Sequence, residues 1–239
     1  MIIRECALRP RFQHGKMALL PLALAFVLAA CGGSGDDPTP QPQPQPTPLP
    51  SPPPTVPPLA TGTPTKLTFG GTIGTKSNWP DGDTSTGGQG ADVDGLPCQT
   101  TMPDTYHVHA HLSIFLNGEQ LIVPQRLGIP RDGSGGDKCF YSLHTHDQTG
   151  ELHVEAGAPA TFTLGQLFDI WGQPLDTTNV NVGGIVGLPI AIFVLEDGGT
   201  AATLYTDDPK KLELKGHRQV TIQIGSSITA LPVYDFNGA

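Results

Sequence analysis

Six of the chain's eight histidines fall between residues 107 and 153, where about 1.6 would fall by chance. Three of them sit in YHVHAHLSIFLNG (106–118) at every second position: His107, His109 and His111. Residues two apart in a strand share a face. These three imidazoles therefore point one way, and Val108, Ala110, Leu112, Ile114 and Leu116 point the other. The same parity recurs in LHTHDQTGELHVE. There, Leu143 and Thr145 alternate with His144 and His146, and Leu152 and Val154 alternate with Glu151, His153 and Glu155. If the three segments are neighbours in one sheet, six imidazoles and two or three carboxylates leave from one face.

Such a set suits a metal ion better than proton transfer. Imidazole ligands fit Zn, Cu(II) and Ni, whereas Cu(I) wants the sulfur ligands that are scarce here. A His-x-His on one strand plus a third His on its neighbour makes three facial ligands. The candidate ligands are His107, His109, His111, His144, His146 and His153, supported by Glu155 and Asp147. Asp147 follows His146 at a turn, where it either caps the turn or accepts from an imidazole N–H. Glu155 is a ligand or a general base beside an open metal position, and two His with one carboxylate could form a facial triad. Locally, HVHAH and ELHVE are similar to the zinc site of animal-type carbonic anhydrases. The similarity ends at those residues, and no activity follows from it. The plain alternative is a solvated His-rich face, with His107 and His111 as rim residues. His217, in KGHR, reads as surface.

Other chemistries lack their motifs. The chain has no G-x-S-x-G, no P-loop and no G-x-G-x-x-G between strand and helix. VGGIVG (182–187) reads as a flexible connection.

The N-terminus bears on where this face would work. Basic residues Arg4, Arg9, Arg11 and Lys16 flank the 14-residue apolar run MALLPLALAFVLAA, which is short for a membrane span and suits a signal-peptide core. It ends in LAAC, which resembles the lipobox of bacterial lipoproteins. The resemblance implies cleavage before Cys31, lipid on its sulfur, and an exported protein held to the cell envelope, at the outer membrane or periplasm if the cell is Gram-negative. Without residues 1–30 the chain loses four basic side chains and Glu5. Nine Lys and Arg then face 21 Asp and Glu, a formal charge of −12. That balance offers no footprint for nucleic acid and no basic stripe for anionic lipid, so the anchor is the only expected membrane contact. No protein partner is legible. Cys6 and Cys31 belong to the leader. Cys98 and Cys139 remain, and in an oxidising compartment they are expected to form a disulfide.

Residues 31–65 hold a Pro-rich polar tract, expected to be a disordered stalk. The folded part is expected to span 66–239 as one domain. Its first third is irregular and Gly/Asp-rich, with Asp pairs that lack EF-hand spacing. Strands are expected from residue 107, with hairpins at Asn117-Gly118 and across 139–157. TFTLGQLFDIWG (161–172) carries a capping box, Thr163-x-x-Gln166, and a helical run that stops at Gly172. Further strands are expected at 189–196, 201–206 and 219–225. The fold is thus α+β and mainly β, with antiparallel hairpins and one short helix. A β-grasp-like arrangement fits, and a β-sandwich is the alternative.

The combination HxHxHL…NG…C…LHTHD…GxxHxE…FTLGQxFDxW, over about residues 76–225, resembles an uncharacterised family of exported bacterial and archaeal proteins. The resemblance implies an exported domain and adds no reaction. Three functions compete. The first is metal storage, delivery or resistance, with Zn or Cu(II) foremost. The second is a zinc hydrolase or hydratase with a three-His site. The third is a non-metal binding or adhesion module on its stalk.

Overall fold

Residues 60–82 and 87–237 are described by the structure, a computed structural model. The expected signal segment, Cys31 and the expected stalk up to residue 59 lie outside the described residues. The end of the expected stalk is already held, since Gly62 N–H donates to Thr229 O and Thr65 N–H to Leu231 O.

The domain is α+β and mainly β. Along the chain come β1 (Thr65–Leu67), β2 (Lys76–Ser77), β3 (Tyr106–Leu116), β4 (Glu119–Ile122), β5 (Leu143–His144), β6 (Glu151–Ala156) and β7 (Phe162–Thr163). The helix α1 (Leu164–Trp171) follows. Then come β8 (Leu175–Asp176), β9 (Asn181–Val182), β10 (Ile185–Val186), β11 (Ile190–Leu195), β12 (Thr203–Tyr205), β13 (Glu213–Leu214), β14 (Gln219–Ile224) and β15 (Pro232–Tyr234).

β3 organises the main sheet. On one edge it pairs in parallel with β14, which continues antiparallel through β11 to β12. On the other edge, β6 pairs with its first half and β4 with its second, both antiparallel. β5 lies beyond β6 and β2 beyond β4. Backbone bonds agree, because His111 N–H donates to Arg218 O on one side and Leu112 N–H to Gly150 O on the other. The β3–β4 turn has φ of 51° at Asn117 and 89° at Gly118, the paired positive values that a two-residue hairpin needs.

Alternation then sorts the faces. Ala110, Leu112 and Ile114 are fully buried in a core with Leu152, Val154, Val220, Ile222 and Ile192. α1 supplies Leu164, Leu167, Phe168, Ile170 and Trp171 to the same core. Its start is the expected capping box, in which Gln166 N–H donates to the Thr163 hydroxyl oxygen and Thr163 N–H to the Gln166 side chain. It ends at Gly172, in the left-handed region at φ 75°. The opposite sheet face is closed only in part. Phe115 and Phe193 pack there with Ile228 and Leu231, which leaves the first half of β3 for the histidines. The remaining sheets hold two or three strands, so among the described residues no second large sheet makes a sandwich.

The irregular first third is tied down at two points. Trp79 is buried, packs edge-on against Trp171 at 4.9 Å between ring centroids, and donates its Nε1–H to Gly183 O. Cys98 and Cys139 form a disulfide across 41 positions of sequence. Closing a loop of that length is worth about 4 kcal/mol in the chain-entropy account. A Cys98→Ser/Cys139→Ser double variant is therefore expected to unfold at lower urea by about that free energy. An unchanged midpoint would contradict it.

Candidate metal centre

The register of three strands assembles the site. His107 lies opposite Glu155, His109 opposite His153 and His111 opposite Glu151, while His144 of β5 lies opposite His153 from the other side. Directly opposed residues on one face hold their Cβ atoms about 5 Å apart. His153 is therefore flanked by an imidazole on each side.

β5 is short and is held by its surroundings. Thr145, fully buried, accepts from Leu127 N–H at 3.0 Å and donates its hydroxyl to Pro124 O at 2.9 Å. Gly128 sits at φ 72°, where an added Cβ would come within 2.3 Å of Leu143 O. A Gly128→Ala variant is expected to push β5 outward, lowering stability by about 1–2 kcal/mol for the left-handed backbone alone. It should also weaken metal binding through His144. Urea unfolding together with a metal titration checks both.

At the centre, three potential ligand atoms form a nearly equilateral triangle. His107 Nε2 is 3.2 Å from His153 Nδ1 and 3.2 Å from Glu155 Oε1, and His153 Nδ1 is 3.3 Å from Glu155 Oε1. Ligands about 2.0–2.1 Å from a tetrahedral Zn ion stand roughly 3.3 Å apart, so a cation fits this spacing. His144 Nε2 lies 3.7 Å from the same carboxylate oxygen. Its ring is oriented by its other nitrogen, Nδ1–H, which donates to Tyr141 O at 2.8 Å. That leaves the buried Nε2, which has no hydrogen-bond partner, with its lone pair free. A backbone acceptor that sets the tautomer of a ligating imidazole is a recurrent feature of metal sites. One ligand atom each from His144, His146, His153 and Glu155 lie within 4.8 Å of one another, and the same holds for His107, His109 and His153.

Burial sets the protonation. It pushes His144 down to about 4, and the neighbouring His146 adds to the effect. His153 falls further, to about 2, through burial and then through His144 and the other imidazoles. His109 is lowered for the same reasons. Glu155 is raised by burial, with His107 opposing. At neutral pH these buried imidazoles are therefore uncharged, each with one ring nitrogen that offers a lone pair, the form a metal needs.

Not every sequence candidate joins the cluster. His111 is 1% exposed, stacks on Tyr234 with ring centroids 4.3 Å apart, and has Nε2 2.9 Å from Thr149 O. The C-terminal segment covers the histidine face at that point, so His111 is a bonded core residue and stands outside both ligand groups. Asp147 caps its turn, accepting from Thr149 N–H and from the Thr149 hydroxyl. His217 is more involved than a surface reading suggests. Its backbone N–H donates to His109 O at 2.7 Å, its ring stacks on Phe236, and with His107, His109 and Asp197 it lines a groove of about 390 Å³. Glu151 shares the face by parity, and the fold brings it to the imidazoles. Its Oε1 is 3.7 Å from His153 Nε2 and 3.9 Å from His109 Nε2.

The chain matches no protein-family model, no curated protein and no solved structure in the comparisons made. The chemistry of the cluster alone carries the functional reading.

Proposed function

We propose that this is an exported, lipid-anchored domain that binds a transition metal, Zn or Cu(II) foremost, for storage, delivery or resistance. The observation that carries the reading is the triangle of His107 Nε2, His153 Nδ1 and Glu155 Oε1, with the oriented Nε2 of His144 beside it. Imidazole and carboxylate ligands suit these ions. Cu(I) is disfavoured because both cysteines of the domain are locked in a disulfide. The LAAC sequence at Cys31 supports the anchor and export.

Holding an ion is favoured over hydrolysis. Glu155 Oε1 stands among the nitrogens, in the place of a ligand and not of a base set apart from the metal. The test is metal titration of tag-free protein, followed by elemental analysis, for the wild type and for His144→Ala and Glu155→Gln. Sub-micromolar binding is expected for the wild type. Each variant should lose about 10- to 100-fold in affinity or more, since even residues that only orient ligands cost that much. No sub-micromolar binding of Zn, Cu(II) or Ni by the wild type would sink the proposal.

A further inference from the structure

Both nitrogens of His153 face ligand-type groups, and the metal reading above uses only one of them. Nδ1 belongs to the triangle with His107 and Glu155. Nε2, on the far side of the ring, is 3.7 Å from Glu151 Oε1. That oxygen is in turn 3.9 Å from His109 Nε2. These separations are too long for hydrogen bonds, and they are a few tenths of an ångström longer than the edges of a tetrahedral site.

Two further observations single out this second position. Both ring nitrogens of His109 are buried and have no hydrogen-bond partner among the described residues. An imidazole always carries at least one N–H or lone pair in need of a partner, and buried polar groups are ordinarily satisfied. Glu151 is also held in place, because its Oε2 accepts from the Tyr234 hydroxyl at 3.0 Å, which leaves Oε1 for the imidazoles. That is the arrangement of a ligating carboxylate with an orienting donor behind it.

We propose that the cluster is a two-ion centre in which the His153 ring bridges the metals. One ion is held by Nδ1 with His107, Glu155 and His144, and the other by Nε2 with His109 and Glu151. The proposal rests on the metal reading above. Binding through both nitrogens requires His153 to give up its ring proton to solvent as the second ion enters. Two divalent cations against Glu151, Glu155 and the imidazolate leave a net charge of +1, which a largely buried cluster holds more easily than an unbalanced pair of ions. Metals about 2.0–2.1 Å from each nitrogen would stand about 6 Å apart.

The test is a titration of the full, tag-free chain with Cu(II), read by elemental analysis and electron paramagnetic resonance. The wild type is expected to take two equivalents per chain. The signal should grow with the first and fall with the second, because two Cu(II) spins joined through an imidazolate couple antiferromagnetically. Glu151→Gln keeps the shape of the side chain and its contact with Tyr234. It should reduce the stoichiometry from two to one and leave the full signal of an isolated ion, and His109→Ala should do the same. One equivalent in the wild type, unchanged by Glu151→Gln, would overturn the two-ion centre and leave the single-ion reading standing. Two equivalents with additive, uncoupled signals would overturn the bridge. No binding at all would overturn the metal reading itself.

Discussion

A His153→Ala variant is expected to lose metal affinity by well over 100-fold, more than any other single substitution in the domain. Residues that merely orient ligands cost about 10- to 100-fold when removed, so a central ligand should exceed that range. The reason is position. His153 lies on the middle one of three strands, paired with His109 on one side and His144 on the other. It belongs to both groups of ligand atoms that lie close enough to share an ion. Its Nδ1 is a corner of the triangle with His107 and Glu155. Equilibrium competition against a chelator of known affinity measures the loss. The matched control is His111→Gln, which alters a histidine of the same strand face whose ring lies under Tyr234 and bonds Thr149 O. It should leave metal affinity unchanged. If His111→Gln weakens binding as much as His153→Ala does, the assignment of the ligands is wrong.

The metal-free protein is expected to lose several kcal/mol of stability as pH falls from 6.5 to 4. Burial holds His111 and His144 at about 4, whereas in the unfolded chain each titrates near 6.5. Between those values the unfolded state binds more protons than the native one, so acid favours unfolding. The stability is fully present above pH 6.5 and drains away as pH drops through 4. A shift of this size corresponds to at most about 3 kcal/mol for each group. His153, held at about 2, carries the loss further into acid. The groups facing His111 are Tyr234, stacked on it, and Glu151, opposite it in β6. Glu151 is raised by burial and thus works against a full counter-charge for a protonated His111. Urea unfolding at pH 7, 5.5 and 4 should show the decline. His111→Gln, which keeps a donor for Thr149 O, should flatten it while lowering stability at pH 7 through lost stacking. A slope identical to wild type would refute the role of His111. Excess metal should raise stability at neutral pH, by about 4 kcal/mol at a thousandfold excess over Kd, and should make the acid loss steeper.

Much of this was legible from local pattern. The period-two alternation of 107–116 placed the apolar residues on the core side, and Ala110, Leu112 and Ile114 are indeed fully buried. The Asn-Gly turn and the Thr163/Gln166 capping box stand where their sequences put them, because both depend on a few adjacent residues. The disulfide followed from there being just two domain cysteines. Less legible was burial. Strand parity puts the histidines on the side away from the apolar core and does not say how deeply they are covered, yet His144 is fully buried and His111 nearly so. Nothing in HTH reveals that Thr145 anchors the segment to Leu127 and Pro124, or that Tyr141 O fixes the ring of His144.

Sequence alone therefore established which residues share a face, since side-chain parity is a local property of a strand and survives any choice of neighbours. It could not establish which of them meet. That depends on register, which brings residues 107, 144, 153 and 155 together from three strands. It depends also on Tyr234, more than 120 positions beyond His111, whose ring covers one histidine and whose hydroxyl holds Glu151. Contacts between segments so distant arise from packing of the whole sheet, and no short stretch of the chain encodes them.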